Sequence, residues 1–216
     1  MTLQTMIQIL AGGLCKSILI FVLTLVGSMP LGLLVAFGRM SKFKPLSLFI
    51  KLYISIMRGT PLMLQLMVVF FCPYYLFGIR TGTHYRLVAV IIGFVINYAA
   101  YFAEIYRGGI EAIPMGQYEA AQVLGYSRAR TFFTIVLPQV FKNILPAITN
   151  ELITLVKDTS LAFAISYSEM FTLAKKIASS QSTLMPFVVA GVFYYVFNFV
   201  VAFGMERCEK KMAYYR

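Results

Sequence analysis

Residues 17–38 read Ser17-Ile18-Leu19-Ile20-Phe21-Val22-Leu23-Thr24-Leu25-Val26-Gly27-Ser28-Met29-Pro30-Leu31-Gly32-Leu33-Leu34-Val35-Ala36-Phe37-Gly38, without one charged side chain. Roughly 20 apolar residues, rising ~1.5 Å each as a helix, cross a hydrocarbon core. This stretch is therefore a membrane-spanning helix in its own right. Three further charge-free runs, residues 59–79, 87–103 and 177–205, can each supply another crossing. A fifth apolar stretch, about 143–165, is interrupted by Glu151, Lys157 and Asp158. A hydrophobic share of 60% over 216 residues excludes an ordinary water-soluble domain. The expectation is an all-α membrane protein, one domain over 1–216 with five transmembrane helices and short loops.

Basic residues set the expected orientation. With the N-terminus outside, inner segments hold Arg39, Lys42, Lys44, Lys51, Arg58, Arg107, Arg128, Arg130, Lys142, Arg207, Lys210, Lys211 and Arg216. Outside lie Lys16, Arg80, Arg86, Lys175 and Lys176. Thirteen against five marks the cytoplasmic side and puts the C-terminus there. The net charge of +11 finds its partner in anionic lipid headgroups, and no nucleic acid is needed. The amino terminus is not a cleavable signal: Lys16 is its first basic side chain and the apolar run that follows is too long. Cys15, Cys72 and Cys208 share no metal-ligand spacing and read as small hydrophobes.

Along the chain, the first helix is expected near 13–37, with Pro30 as a kink. Residues 39–58 mix Lys42, Lys44 and Lys51 with Phe43, Leu46, Leu48 and Phe49, the composition of a helix lying in the inner interface. Pro61 suits the first turn of the second span, where its missing N–H costs nothing. The third span begins near Leu87, continues beyond Arg107 and is broken at Ile113-Pro114. Residues 115–130 form a cytoplasmic loop, the fourth span leaves the interface near Lys142, 166–183 is a polar outer connection, and the fifth span covers about 185–205.

The cytoplasmic loop carries Glu119-Ala120-Ala121-Gln122-Val123-Leu124-Gly125, followed by Ile135-Val136-Leu137-Pro138. Residues 117–124 favour a helix that Gly125 can stop in a left-handed conformation. The two alanines leave a helix side nearly bare, and Glu119 offers an acceptor-only charge to a partner's arginine or helix N-terminus. The pattern resembles the EAA loop of ABC-importer permeases: EAA, three residues, G, nine residues, I-x-L-P. Arg58-Gly59-Thr60-Pro61-Leu62-Met63-Leu64-Gln65 is similar to a segment of the polar amino acid permeases within that family. So are Asn97, Glu104-Ile105 with Arg107-Gly108-Gly109-Ile110, and Leu155-Val156-Lys157-Asp158-Thr159-Ser160-Leu161.

The resemblance implies a type I ABC importer transmembrane domain with a five-helix core at about 13–207 and a coupling loop at about 112–138. It implies that Glu119, Ala120, Ala121, Gly125, Ile135, Leu137 and Pro138 seat a coupling helix in an ATP-hydrolysing subunit. Two copies of that ATPase, using ATP and Mg, an extracytoplasmic binding protein and a second permease subunit (the same chain or a paralogue) are the implied partners. This chain has no phosphate-binding loop, since 12–17 lacks the Gly-Lys step and spacing, and it is expected to bind no cofactor or metal and to catalyse no reaction.

Ionisable groups inside a membrane need a partner or a cavity. Asn97 and Glu104 lie about two helical turns apart on one face of the third span. Asn150, Glu151, Thr154 and Asp158 form a polar stripe on the fourth. With helix ends near Ala112 and Asn143, Glu104 lies about 12 Å and Asp158 about 20 Å from the inner face, close enough to share a pocket. Glu104 and Asp158 would suit an ammonium or guanidinium, and Lys157, Thr159 or Ser160 an α-carboxylate. Thr60 and Gln65 are further candidates for the pathway. Equally open, Glu104 pairs with Arg107 or Arg58, Lys157 with Asp158, and Glu151 serves helix packing. The rival function is a self-powered carrier or channel, against which the lack of an internal repeat argues. A lone His84 and the absence of a nucleophile motif leave little for an intramembrane enzyme.

Overall fold

The computed structural model describes residues 2–80, 82 and 84–212, and these are helical apart from short connections. The helices are α1 (Leu3–Arg39), α2 (Lys44–Gly59), α3 (Leu62–Phe77), α4 (Tyr85–Glu111), α5 (Met115–Val123), α6 (Arg128–Thr131), α7 (Leu137–Asp158), α8 (Met170–Gln181) and α9 (Met185–Met212). A π-helical turn, Phe132–Val136, joins α6 to α7, and a 3-10 turn, Thr159–Ile165, extends α7. Among the described residues four helical paths are long and apolar enough to cross a membrane: α1, α4, Arg128–Ile165 and α9. Helices α2 and α3 pass that test only together, as a pair bent by 110°. Arg216, one of the inner cations of the sequence reading, lies outside the described residues.

Three features of the helices differ from the sequence expectation. Helix α1 begins at Leu3, capped by Thr2, and its 37 residues extend about 55 Å. The expected polar outer connection contains α8, whose Met170, Ala174 and Ala178 are buried. Their spacing of four puts them on one stripe, while Lys175, Lys176, Ser179 and Ser180 face outward. The path into α7 is likewise helical from Arg128, well before Lys142. A π turn precedes Pro138 because a proline cannot donate the N–H that a regular α-helix needs there.

Close approach of small residues sets the packing. The buried face of α1 includes Gly13, Ser17, Thr24, Ser28, Gly32 and Ala36, and such a stripe lets backbones meet. At Gly32 an added Cβ would stand 2.8 Å from the Phe102 Cβ and 3.1 Å from the Ala99 carbonyl oxygen, and at Gly27 it would meet Val95. Rising numbers on both helices make α1 and α4 parallel. Helix α7 runs against α4, since Gly109 meets Val140 and Ile144 while Tyr98 meets Asp158. Helix α9 runs against α7, with Thr149 bonded to Glu209. Helix α3 also opposes α4, through Gln65–Asn97 and Tyr85 with the Val69 carbonyl. The C-terminal ends of α1, α4 and α9 therefore share one end of the bundle with α5. The core between them runs through Ile20, Leu66, Phe94, Tyr98, Phe102, Ile144, Leu155 and Val156.

Candidate functional site

The loop after α4 folds into α5, then turns sharply at Gly125. Gly125 has φ +73°, and its N–H and that of Tyr126 return to the carbonyls of Gln122 and Ala121. A left-handed cap of this kind is cheap only for glycine. Ala121 is buried, so a single alanine of the pair, Ala120, stands on the exposed side with Glu119. The bare face expected from both alanines is instead completed by Met115, Val123 and Leu124, all strongly exposed. Pro138 and Ile135 line a cavity of about 370 Å³ together with Gln117 of α5. Gln139 donates to the Ile135 carbonyl at 2.8 Å and reaches Gln117 at 3.4 Å. Leu137, half-buried, opens α7 beside them. The helix that carries the first half of the motif thus meets the second half through Gln117.

The bend between α2 and α3 is held by side chains. In a continuing helix the Met57 carbonyl would accept from the N–H of residue 61, but Pro61 has none. Gln65 Nε2 donates to the Met57 oxygen at 2.9 Å and Asn97 Nδ2 at 3.1 Å. Asn97 also donates to Gln65 Oε1 at 2.9 Å, and Gln65 Nε2 lies 2.8 Å from Thr60 Oγ1 and 3.1 Å from its carbonyl oxygen. The Thr60 hydroxyl donates to the Ile56 carbonyl at 2.8 Å. Without water in the hydrocarbon, such carbonyls must find donors in the protein. Gln65 and Asn97 therefore carry a structural duty that sequence reading missed, although Pro61 four residues after Met57 announces the missing donor.

Between this bend, α4 and α7 lies a cavity of about 350 Å³, lined by Thr60, Asn97, Tyr98, Tyr101, Glu151, Thr154 and Asp158, with Pro61, Leu62 and Leu161 as its apolar wall. The Tyr98 hydroxyl donates to Asp158 Oδ2 at 2.8 Å and fixes that carboxylate at the cavity wall. Arg58 lies over the Tyr101 ring, 5.3 Å from its centroid. Five other candidates do not join, Gln65 among them, whose amide is spent on the bend. Glu104 is held by Arg107 through bonds of 3.2 and 2.6 Å and lies 3.9 Å from Arg58, one of the two pairings left open above. The common depth of Glu104 and Asp158 does not bring them into one pocket, because Arg107, one turn on from Glu104, takes its carboxylate. Lys157 is exposed and away from the lining, Ser160 bonds back to the Lys157 carbonyl, and Thr159 is fully buried with its hydroxyl on the Val156 carbonyl.

At the opposite end, Glu169 is fully buried and caps α8, accepting from the N–H groups of Phe171 and Thr172 at 2.6 and 2.7 Å and from the Thr172 and Tyr194 hydroxyls. Burial pushes its carboxyl above the ordinary value, against the pull of those donors.

The binding-protein-dependent transport system inner membrane component family matches residues 28–214. The chain belongs to this family. It is a multi-pass inner-membrane permease component. The L-cystine transport system permease protein TcyB of Bacillus subtilis (strain 168) is 34% identical, over 98% of this chain and 90% of that protein. The arginine transport system permease protein ArtQ of the same organism is 36% identical, over 93% and 90%. Among solved structures, an amino acid ABC transporter with histidines superposes with a TM-score of 0.87 at 29% identity, covering 98% of this chain and 99% of that one. An inward-facing MetNI methionine ABC transporter superposes at 0.70 with 18% identity over 98% and 99%, which speaks for the fold alone.

Proposed function

We propose that this permease imports a polar, cationic amino acid by an ATP-driven cycle, and that the cavity beside Asp158 receives it. The observation that carries this reading is the lining: two carboxylates, Glu151 and Asp158, beside the hydroxyl and amide groups of Thr60, Thr154 and Asn97 and the rings of Tyr98 and Tyr101. Carboxylates bind an ammonium or guanidinium through short charge-assisted bonds. The Tyr101 ring already carries Arg58 over it, so the two carboxylates are the groups that would recognise the cation. A volume near the small end of the usual ligand range suits one amino acid. The arginine system of one relative supports a cationic substrate, and the cystine system of another supports a polar amino acid more broadly.

Counting the bent α2–α3 pair as one crossing gives five spans, with the N-terminus outside and the C-terminus in the cytoplasm. The cations gathered at the α5 end, among them Arg39, Arg107, Arg128, Arg207 and Lys210, support that direction. The exposed face of Glu119, Ala120, Val123 and Leu124 then meets an ATPase subunit. Two such subunits hydrolyse ATP with Mg, a binding protein delivers substrate from outside, and a second permease subunit, identical or paralogous, completes the path. Closure of the ATPases would move α5 and, through α7, the Asp158 wall. Nothing in the relatives supports the self-powered alternative. Asp158→Asn in the assembled transporter should cut uptake of radiolabelled arginine at least tenfold while leaving assembly and basal ATPase unchanged. Equal uptake would remove the cavity from the pathway.

A further inference from the structure

A second cavity, of about 600 Å³, opens where α1 hands over to α2, and it is lined by Arg39, Lys44 and Lys51 with the hydroxyls of Ser41 and Ser47 and the side chain of Leu48. Arg39 is fixed there: its Nη1 donates to Ser47 Oγ at 3.1 Å, and that hydroxyl donates in turn to the Arg39 carbonyl at 2.7 Å. None of the ion pairs among the described residues involves Arg39, Lys44 or Lys51. Glu104, whose charge Arg39 does feel, is already forked by Arg107. Three cations thus converge without an acid to neutralise them. The first turn of α2 has no side-chain cap and adds the positive end of its dipole.

The rest of α2 divides into two faces. Ile50, Tyr53, Ile54 and Met57 turn inward against Ala36, Ala100 and Ala103. Phe43, Leu48, Phe49 and Leu52 point away, 65%, 68%, 70% and 57% exposed. An apolar face of this kind beside uncompensated cations is at home at the boundary between headgroups and acyl chains.

We propose that the α1–α2 cavity binds the phosphate of an anionic phospholipid, with the acyl chains lying along Leu48, Phe49 and Leu52. The phosphate sits among Arg39, Lys44 and Lys51, and the serine hydroxyls take its remaining oxygens. Bound there, the lipid ties α2 to the end of α1. Since α2 carries Met57 and Thr60 at its far end, the lipid also steadies one wall of the Asp158 cavity. The site stands on the cavity and its charges, whatever solute the permease moves.

The full-length chain, purified in mild detergent, is titrated with phosphatidylglycerol or phosphatidylcholine and read by native mass spectrometry. Wild type should retain phosphatidylglycerol at least tenfold more tightly than phosphatidylcholine. Each interfacial lysine contributes about fivefold, so Lys44→Gln with Lys51→Gln should lower phosphatidylglycerol retention about 25-fold. Lys210→Gln with Lys211→Gln, at the same end of the bundle, should leave it unchanged, and circular dichroism checks that both variants fold. Equal retention of the two lipids by wild type, or an unaffected Lys44/Lys51 variant, overturns the site. An equal loss in the Lys210/Lys211 variant overturns it in favour of general surface attraction. Displacement of the lipid by millimolar inorganic phosphate overturns the lipid assignment in favour of a free anion.

Discussion

Replacing Gln65 with leucine tests the bend most sharply, because leucine keeps much of the volume and removes every polar atom. The Gln65 amide has two N–H groups facing three acceptors, the Met57 and Thr60 carbonyls and the Thr60 hydroxyl, and its oxygen accepts from Asn97. Two donated bonds and one accepted bond, at about 1 kcal/mol net each, sum to about 3 kcal/mol. The Met57 oxygen keeps its bond from Asn97, which holds the loss near that figure. For a chain of this size each kcal/mol moves the melting temperature by about 2–4 °C, so Gln65→Leu should melt roughly 6–12 °C lower. Circular dichroism of the purified chain in detergent reads the shift; tyrosine and not tryptophan is its fluorophore, as the sequence has no Trp. Combining Gln65→Leu with Asn97→Leu should cost at least the sum of the single changes: the bond the two share is lost only once, but the Met57 carbonyl is then left with no donor, a penalty of about 1–3 kcal/mol. A Gln65→Leu chain melting within about 1 °C of wild type, or a double change costing clearly less than the sum of the two, would refute the account of the bend.

Two further outcomes follow from packing and burial. Gly32→Val should lower the melting temperature by several degrees, because the added atoms meet the Phe102 Cβ and a backbone carbonyl that cannot step aside; a wild-type melt would mean that α1 and α4 separate freely. Glu169→Ala should cost about 2 kcal/mol by removing the cap of α8 and its bond from Tyr194, whereas Glu169→Gln should cost less. The Glu169 carboxyl is raised in the fold, so its contribution is greatest below the ordinary value of 4.5 and is lost as pH rises through the folded value. Lowering the pH from 7 toward 4.5 should therefore widen the stability gap between wild type and Glu169→Gln; a gap that narrows on acidification contradicts the burial argument.

The spans were legible because hydrocarbon tolerates few charges, and charge-free runs such as 17–38 leave little choice. The boundaries were less so. Helix α8 escaped notice because only one face is apolar, with Lys175 and Lys176 on the other; the spacing of Met170, Ala174 and Ala178 was its only signal. The early residues of α1 are too mixed in character to announce a helix. Within the candidate site, residue type identified Asp158, Asn97 and Thr60 as polar groups needing a reason. It could not tell that Glu104 is claimed by Arg107, because an i,i+3 pair and a cross-helix pocket look alike until side chains are placed. Nor could it tell that Ala121 turns inward, or that Thr159 and Ser160 bond to their own helix. Tyr98 carries no charge that would single it out in a membrane helix, and only the fold brings its hydroxyl to Asp158.

The most direct test reconstitutes this permease in liposomes with and without the ATPase subunit of its own system and follows ATP-dependent uptake of arginine from the binding protein. Uptake should require both the ATPase and ATP, and Glu119→Lys should abolish it, releasing the ATPase while the permease stays inserted. Uptake by the permease alone, or uptake unchanged in Glu119→Lys, would contradict the claim that α5 couples this chain to an ATP-hydrolysing partner.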